Sequence, residues 1–86
     1  MVSAHTVEVR YWAGARAAAG APSDTLTLAA GRHTVADVLA AAVEARPALA
    51  RVLPACSTLL GGRAVGADVP VPSGGVVEVL PPFAGG

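Results

Sequence analysis

The chain has 86 residues, six acidic and six basic side chains and a formal net charge of zero. That length supports one small domain, burying about 60% of its unfolded surface, and excludes a second. Without a basic run or an aromatic-basic stripe, the balanced charge argues against nucleic acid as a partner.

Val7, Val9 and Tyr11 alternate with Glu8, Arg10 and Trp12, the period-two pattern of a strand with one buried and one wet face. This places a first strand over residues 7–12. An Ala- and Gly-rich loop is expected over residues 13–22, and Thr25-Leu26-Thr27-Leu28 reads as a second strand with its leucines inward. Residues 29–33 turn the chain.

Thr34, followed three residues later by Asp37, has the spacing of a capping box. Val35, Val38, Leu39, Ala42 and Val43 then form one apolar stripe of an amphipathic helix that should end near Arg46. Pro47 suits the first position of a short second helix carrying Leu49, Val52 and Leu53, with Pro54 closing it. Residues 57–60, 64–65 and 76–80 are the remaining strand candidates, separated by Gly61-Gly62 and by the turn region over residues 70–75. This order predicts an α+β domain over residues 1–80, a mixed sheet with one main helix packed on one face.

If the helix covers the Val7, Val9 and Tyr11 face, Trp12 points the other way, among Glu8 and Arg10. On the last strand Val77 and Val79 can face the core, leaving Val76, Glu78 and Leu80 on the open side. Trp12 and Leu80 are therefore the candidate partner-binding residues, because exposed aromatic and apolar groups on small domains mark interfaces.

No autonomous active site is evident. The paired glycines Gly61-Gly62 and Gly74-Gly75 lack the lysine and the following helix of a nucleotide loop, and all six basic residues are arginines. Without lysine there is no side-chain Schiff base and no acceptor for isopeptide conjugation. His5 and His33 stand apart from any cluster with metal-ligand spacing, and no bound metal or cofactor is expected. Cys56 has no CxxC partner or neighbouring cation, so it reads as a buried thiol; a lone cysteine also fits a reducing cytoplasm. Residues 1–6 lack the apolar core of a signal peptide. The apolar stretch over residues 35–60 is broken by Asp37, Glu44, Arg46, Pro47, Arg51 and Pro54, so no membrane span is expected.

What remains is the ending, Pro81-Pro82-Phe83-Ala84-Gly85-Gly86. The two prolines restrict the base of a tail whose glycines, lacking Cβ, can enter a narrow channel in another protein. Six extended residues reach at most about 20 Å. The Gly86 carboxylate is the expected reactive group, and since a carboxylate is a poor acyl electrophile, a partner must activate it.

At residues 76–86, Val-Val-Glu-Val-Leu-Pro-Pro-Phe-Ala-Gly-Gly, the chain resembles the MoaD/ThiS family of β-grasp, ubiquitin-like sulfur carriers, and most of all its molybdopterin-synthase small-subunit branch. The resemblance extends to residues 9–16 as first strand and following loop, and to residues 34–39 as the start of the helix. It implies that an ATP-using, ubiquitin-activating-like adenylyltransferase activates Gly86. Sulfur from a cysteine desulfurase or rhodanese-like donor then converts it to a thiocarboxylate. In that branch the flexible tail, Pro81 to Gly86, enters a large catalytic subunit and gives its sulfur to cyclic pyranopterin monophosphate. A sulfur carrier for thiamine, cysteine or thiolated nucleoside synthesis, a ubiquitin-like protein modifier, and a β-grasp interaction module with an inert tail are the alternatives. Leu60-Gly61-Gly62-Arg63 stands where many relatives have a valine-asparagine strand end, and no role is carried over to it.

Overall fold

The computed structural model describes residues 4–82. Among these, β1 (His5–Tyr11), β2 (Ser23–Leu28), β3 (Ser57–Leu60), β4 (Arg63–Ala64) and β5 (Val76–Leu80) form one sheet of order β2-β1-β5-β3-β4. β1 and β5 run parallel, with Glu8 opposite Val76 and Tyr11 opposite Val79; the other pairings are antiparallel. A parallel pair cannot be closed by a hairpin and requires a crossover. The chain between them supplies it, and the longest helix in that crossover, α2 (Val35–Ala45), joins the core.

The alternation expected of β1 is realised. Val7 and Val9 are fully buried and Tyr11 nearly so, while Glu8 is half-buried and Arg10 exposed. Val77 and Val79 of β5 lie on the same buried face, against Val35, Val38 and Ala42 of α2. The helix begins where the capping residues place it: the Asp37 amide donates to Thr34 Oγ1 (3.3 Å) and the Thr34 amide to Asp37 Oδ2 (2.9 Å). Beyond α2, two 3₁₀ turns (Pro47–Arg51 and Leu53–Ala55) replace the single short helix expected there and set Leu49 fully inside the core. Gly61 and Gly62 link β3 to β4 with φ of 59° and 82°, a two-residue turn that demands left-handed backbone at both positions.

One expectation fails. Residues 13–22 are not a loop throughout: residues 13–19 form a second helix, α1 (Ala13–Ala19), and Gly20, at φ 78°, caps it by donating its amide to the Arg16 carbonyl. Alanine has the highest intrinsic helix propensity, and α1 is five alanines, one arginine and one glycine. Its buried residues, Ala15 and Ala19, are one turn apart.

A polar staple joins four elements behind the core. Tyr11 Oη donates to Asp24 Oδ2 (2.8 Å), and Arg46 grips the same carboxylate through Nε (2.6 Å) and Nη2 (2.8 Å). Its Nη1 also donates to the Ala19 carbonyl (3.0 Å) at the end of α1. Such a bidentate pair is the fork geometry that arginine forms and lysine cannot. The arginine bonds hold the Asp24 carboxyl below the usual carboxylate range, and burial together with that carboxylate pushes the Tyr11 phenol up.

Candidate functional site

The candidate site lies where β1 and β5 end side by side. Because the two strands are parallel and Tyr11 faces Val79, Trp12, the first residue past β1, and Leu80, the last of β5, lie at the same edge of the sheet. Trp12 is the one large hydrophobic side chain exposed among the described residues, at 44%. Leu80 is half-buried and pairs with Ser57 of β3. Pro81, also half-buried, follows at once, so the base of the tail leaves next to the tryptophan.

The Trp12 backbone is held from both sides. Its amide donates to the Val79 carbonyl (3.1 Å), and its own carbonyl accepts from the Ala15 (3.0 Å) and Arg16 (3.3 Å) amides as α1 begins. Ala13, the next residue, sits at φ 48°, a left-handed conformation that a non-glycine residue adopts at a cost. Gly14 lies against Pro81: a Cβ there would be 3.8 Å from Pro81 Cγ, ordinary contact. The helix that sequence reasoning missed is thus a wall of the tail's exit.

The Trp12 side chain is tied as well. Its indole Nε1 donates to Glu78 Oε2 at 2.9 Å. Glu78 is the cross-strand partner of Arg10, and Arg10 in turn donates from Nε to Glu8 Oε2 at 2.6 Å. The hydrogen bond and charge of Glu8, with Glu78 adding to them, hold the Arg10 guanidinium still more firmly in its charged form. Glu8, Arg10, Trp12 and Glu78 therefore share the open face of the sheet. Glu8, Arg10, Trp12 and Arg16 also line an open cleft of about 320 Å³.

Of the residues singled out from sequence, the structure brings Trp12, Leu80, Pro81 and Pro82 to this corner, with Pro82 exposed. Phe83, Ala84, Gly85 and Gly86 lie outside the described residues. Sequence reasoning placed Glu78 on the open side but missed its bond to Trp12, which depends on a strand register linking residues 66 positions apart.

The other reactive side chains have structural roles. His5 is buried, with Nδ1 3.0 Å from the Gly31 carbonyl and Nε2 2.8 Å from the Val71 carbonyl. It stacks edge-on against His33, centroids 4.9 Å apart, so the two histidines that looked isolated in sequence are neighbours. Cys56 is half-buried and donates its thiol to the Val52 carbonyl (3.1 Å); burial pushes that thiol up, away from a nucleophilic thiolate. Among the described residues, no group of three or more His, Cys, Asp or Glu could hold a metal ion, and no helix is long and apolar enough to cross a membrane.

A mixed five-stranded sheet crossed by one principal helix, with a proline-led segment leaving beside an exposed tryptophan, defines a β-grasp, ubiquitin-like domain. The chain belongs to the ThiS family, whose profile matches residues 9–86. That membership makes it a small carrier-type protein of the ThiS sulfur-carrier family. No curated protein sequence matches it. Among solved structures, SAMP1 from Haloferax volcanii is 28% identical at a TM-score of 0.84, the match covering 94% of this chain and 99% of that one. The putative molybdopterin converting factor subunit 1 of Pyrococcus furiosus is 24% identical at a TM-score of 0.81, covering 91% and 98%. The complex of subunits 1 and 2 of the molybdopterin-converting factor from Helicobacter pylori gives 21% and 0.69, covering 94% and 99%. At those two identities the likeness is one of fold.

Proposed function

We propose that this chain carries sulfur on the Gly86 carboxylate and delivers it to cyclic pyranopterin monophosphate as the small subunit of a molybdopterin synthase. The observation that supports the carrier chemistry is the family match through residue 86, which takes in the whole of the Pro-Pro-Phe-Ala-Gly-Gly segment, and the choice of the pterin pathway rests on the resemblance of that ending to the molybdopterin-synthase small subunit. An adenylyltransferase joins the carboxylate to AMP, releasing pyrophosphate, and so replaces a poor leaving group with a good one. A sulfide equivalent from the sulfur donor then displaces AMP and leaves a thiocarboxylate, a soft nucleophile. Gly86 bears the sulfur, while Gly85, Ala84 and Phe83 form the segment that enters the large subunit. Pro81 and Pro82 stiffen its base, reducing the entropy lost on insertion. Trp12 and Leu80 meet the partner's surface beside the exit.

Intact mass spectrometry of the C-terminal peptide tests the carrier chemistry. An oxygen-for-sulfur mass gain is expected after incubation with ATP, the activating enzyme and a sulfur donor. Persistent absence of that gain with competent enzymes would sink the reading. Conversion of the pterin precursor on mixing with a molybdopterin-synthase large subunit then separates this pathway from thiamine, cysteine or nucleoside routes, whose carriers should fail.

A second reading is favoured by one observation, the 28% identity to a structure whose name is that of a small archaeal modifier protein. As a modifier, the chain would be joined through Gly86 to lysines of other proteins. Recovery of such isopeptide conjugates from the host would favour it.

A further inference from the structure

A surface tryptophan is ordinarily free to sample several rotamers, and ordering it on binding carries an entropic cost. Trp12 is 44% exposed, yet its amide, carbonyl and indole nitrogen are all engaged, the first two by backbone and the last by Glu78. Arg10, the cross-strand partner of Glu78, adds a favourable charge nearby while giving its own hydrogen bond to Glu8. Nothing in the packing of the core calls for this arrangement. Glu78 points away from the buried Val77 and Val79 that flank it, and its contribution to the fold is a solvent-facing bond. What the bond does is fix the direction of one aromatic ring at the point where the tail departs.

We propose that Glu78 is a positioning residue for partner docking: through its bond to the Trp12 indole it presets the ring that the large subunit must receive alongside the tail. The role rests on the carrier reading for the identity of the partner, but the bond itself does not. It is distinct from direct contact, because Glu78 acts through Trp12.

Two substitutions and one background separate these possibilities. The chain has a single tryptophan, so its indole Nε1–H gives one resonance in a ¹⁵N NMR spectrum. Glu78→Ala should move that resonance to the position of a solvent-bonded indole and weaken binding to a molybdopterin-synthase large subunit by roughly two- to tenfold, the range of one modest hydrogen bond. Glu78→Gln keeps an oxygen acceptor and should leave the resonance close to its position in the unmodified chain and the affinity within about twofold. In a Trp12→Phe background, which keeps a ring but no N–H, Glu78→Ala should produce no further loss. An unmoved resonance, unchanged affinity in Glu78→Ala, or an equal loss in both backgrounds would each overturn the assignment. If the unmodified chain does not bind the large subunit at all, the pathway reading falls and the docking role with it. If it binds and the variants do not differ, only the role of Glu78 falls.

Discussion

The two faces of the sheet are drawn from alternate residues of the same strands and are held by different physics. On the covered face, Val7, Val9, Val77 and Val79 are fully buried against α2, where apolar burial contributes roughly 25 cal/mol per Å². On the open face, Glu8 is paired with Arg10 and Glu78 with Trp12 by bonds exposed to water, and such exposed pairs are screened by solvent and contribute little to stability. The first face decides whether the chain folds; the second orients side chains while contributing little to stability. The carrier role proposed above would use both, a fixed surface for a partner to read and a domain that stays folded behind it.

The contrast can be broken most forcefully from the covered side. Change of Leu49, the fully buried residue of the first 3₁₀ turn, to Ala should cost about 2–5 kcal/mol of stability, through lost burial and the cavity left behind. In a domain this small that is a large share of the total, and denaturant titration should show a midpoint far below that of the unmodified chain.

A smaller loss is expected at the polar staple. Asp24→Asn removes the charge that Arg46 grips in a bidentate pair and should cost about 1–3 kcal/mol. The same pair sets a pH dependence. Since the Asp24 carboxyl is depressed in the folded chain, chiefly by its hydrogen bond from Arg46, the unfolded chain binds the proton more readily. The stabilisation is therefore present above the unfolded carboxylate value near ~3.9 and is lost as pH falls through the lower folded value. The amide that replaces the carboxylate titrates in neither state, so unfolding free energies measured from neutral to acid pH should fall less steeply in the variant.

These differences also mark how far the sequence could be read. The alternation of Val7, Val9 and Tyr11 and the Thr34–Asp37 cap are local patterns, and the structure realises both. α1 escaped because alanine contributes little contrast between faces: with Ala15 and Ala19 inside and Ala13 and Ala17 outside, no amphipathic stripe is visible. The Asp24–Arg46 pair and the Trp12–Glu78 bond span 22 and 66 residues, and both depend on strand order, which no local window contains. Choosing Trp12 required only the alternation of β1 and a helix on its valine face. Seeing why it is oriented required the parallel register of β1 with β5.

The smallest expected effect on stability is the one that sharpens the contrast most. Trp12→Ala removes the largest exposed hydrophobic side chain among the described residues and one solvent-facing bond, yet leaves the buried faces of β1 and β5 untouched. Its unfolding free energy should fall by about 1 kcal/mol, well short of the loss in Leu49→Ala. The backbone bonds of residue 12 to Val79, Ala15 and Arg16 use no side-chain atom and should survive, so α1 should still begin at Ala13. Affinity for the large subunit, by contrast, should fall at least about tenfold if the ring is an interface anchor, since truncated tryptophan hot spots commonly lose about 2 kcal/mol or more. A stability loss approaching that of Leu49→Ala would mean that Trp12 belongs to the covered face's physics after all, and the division between the two faces would have to be redrawn at the end of β1.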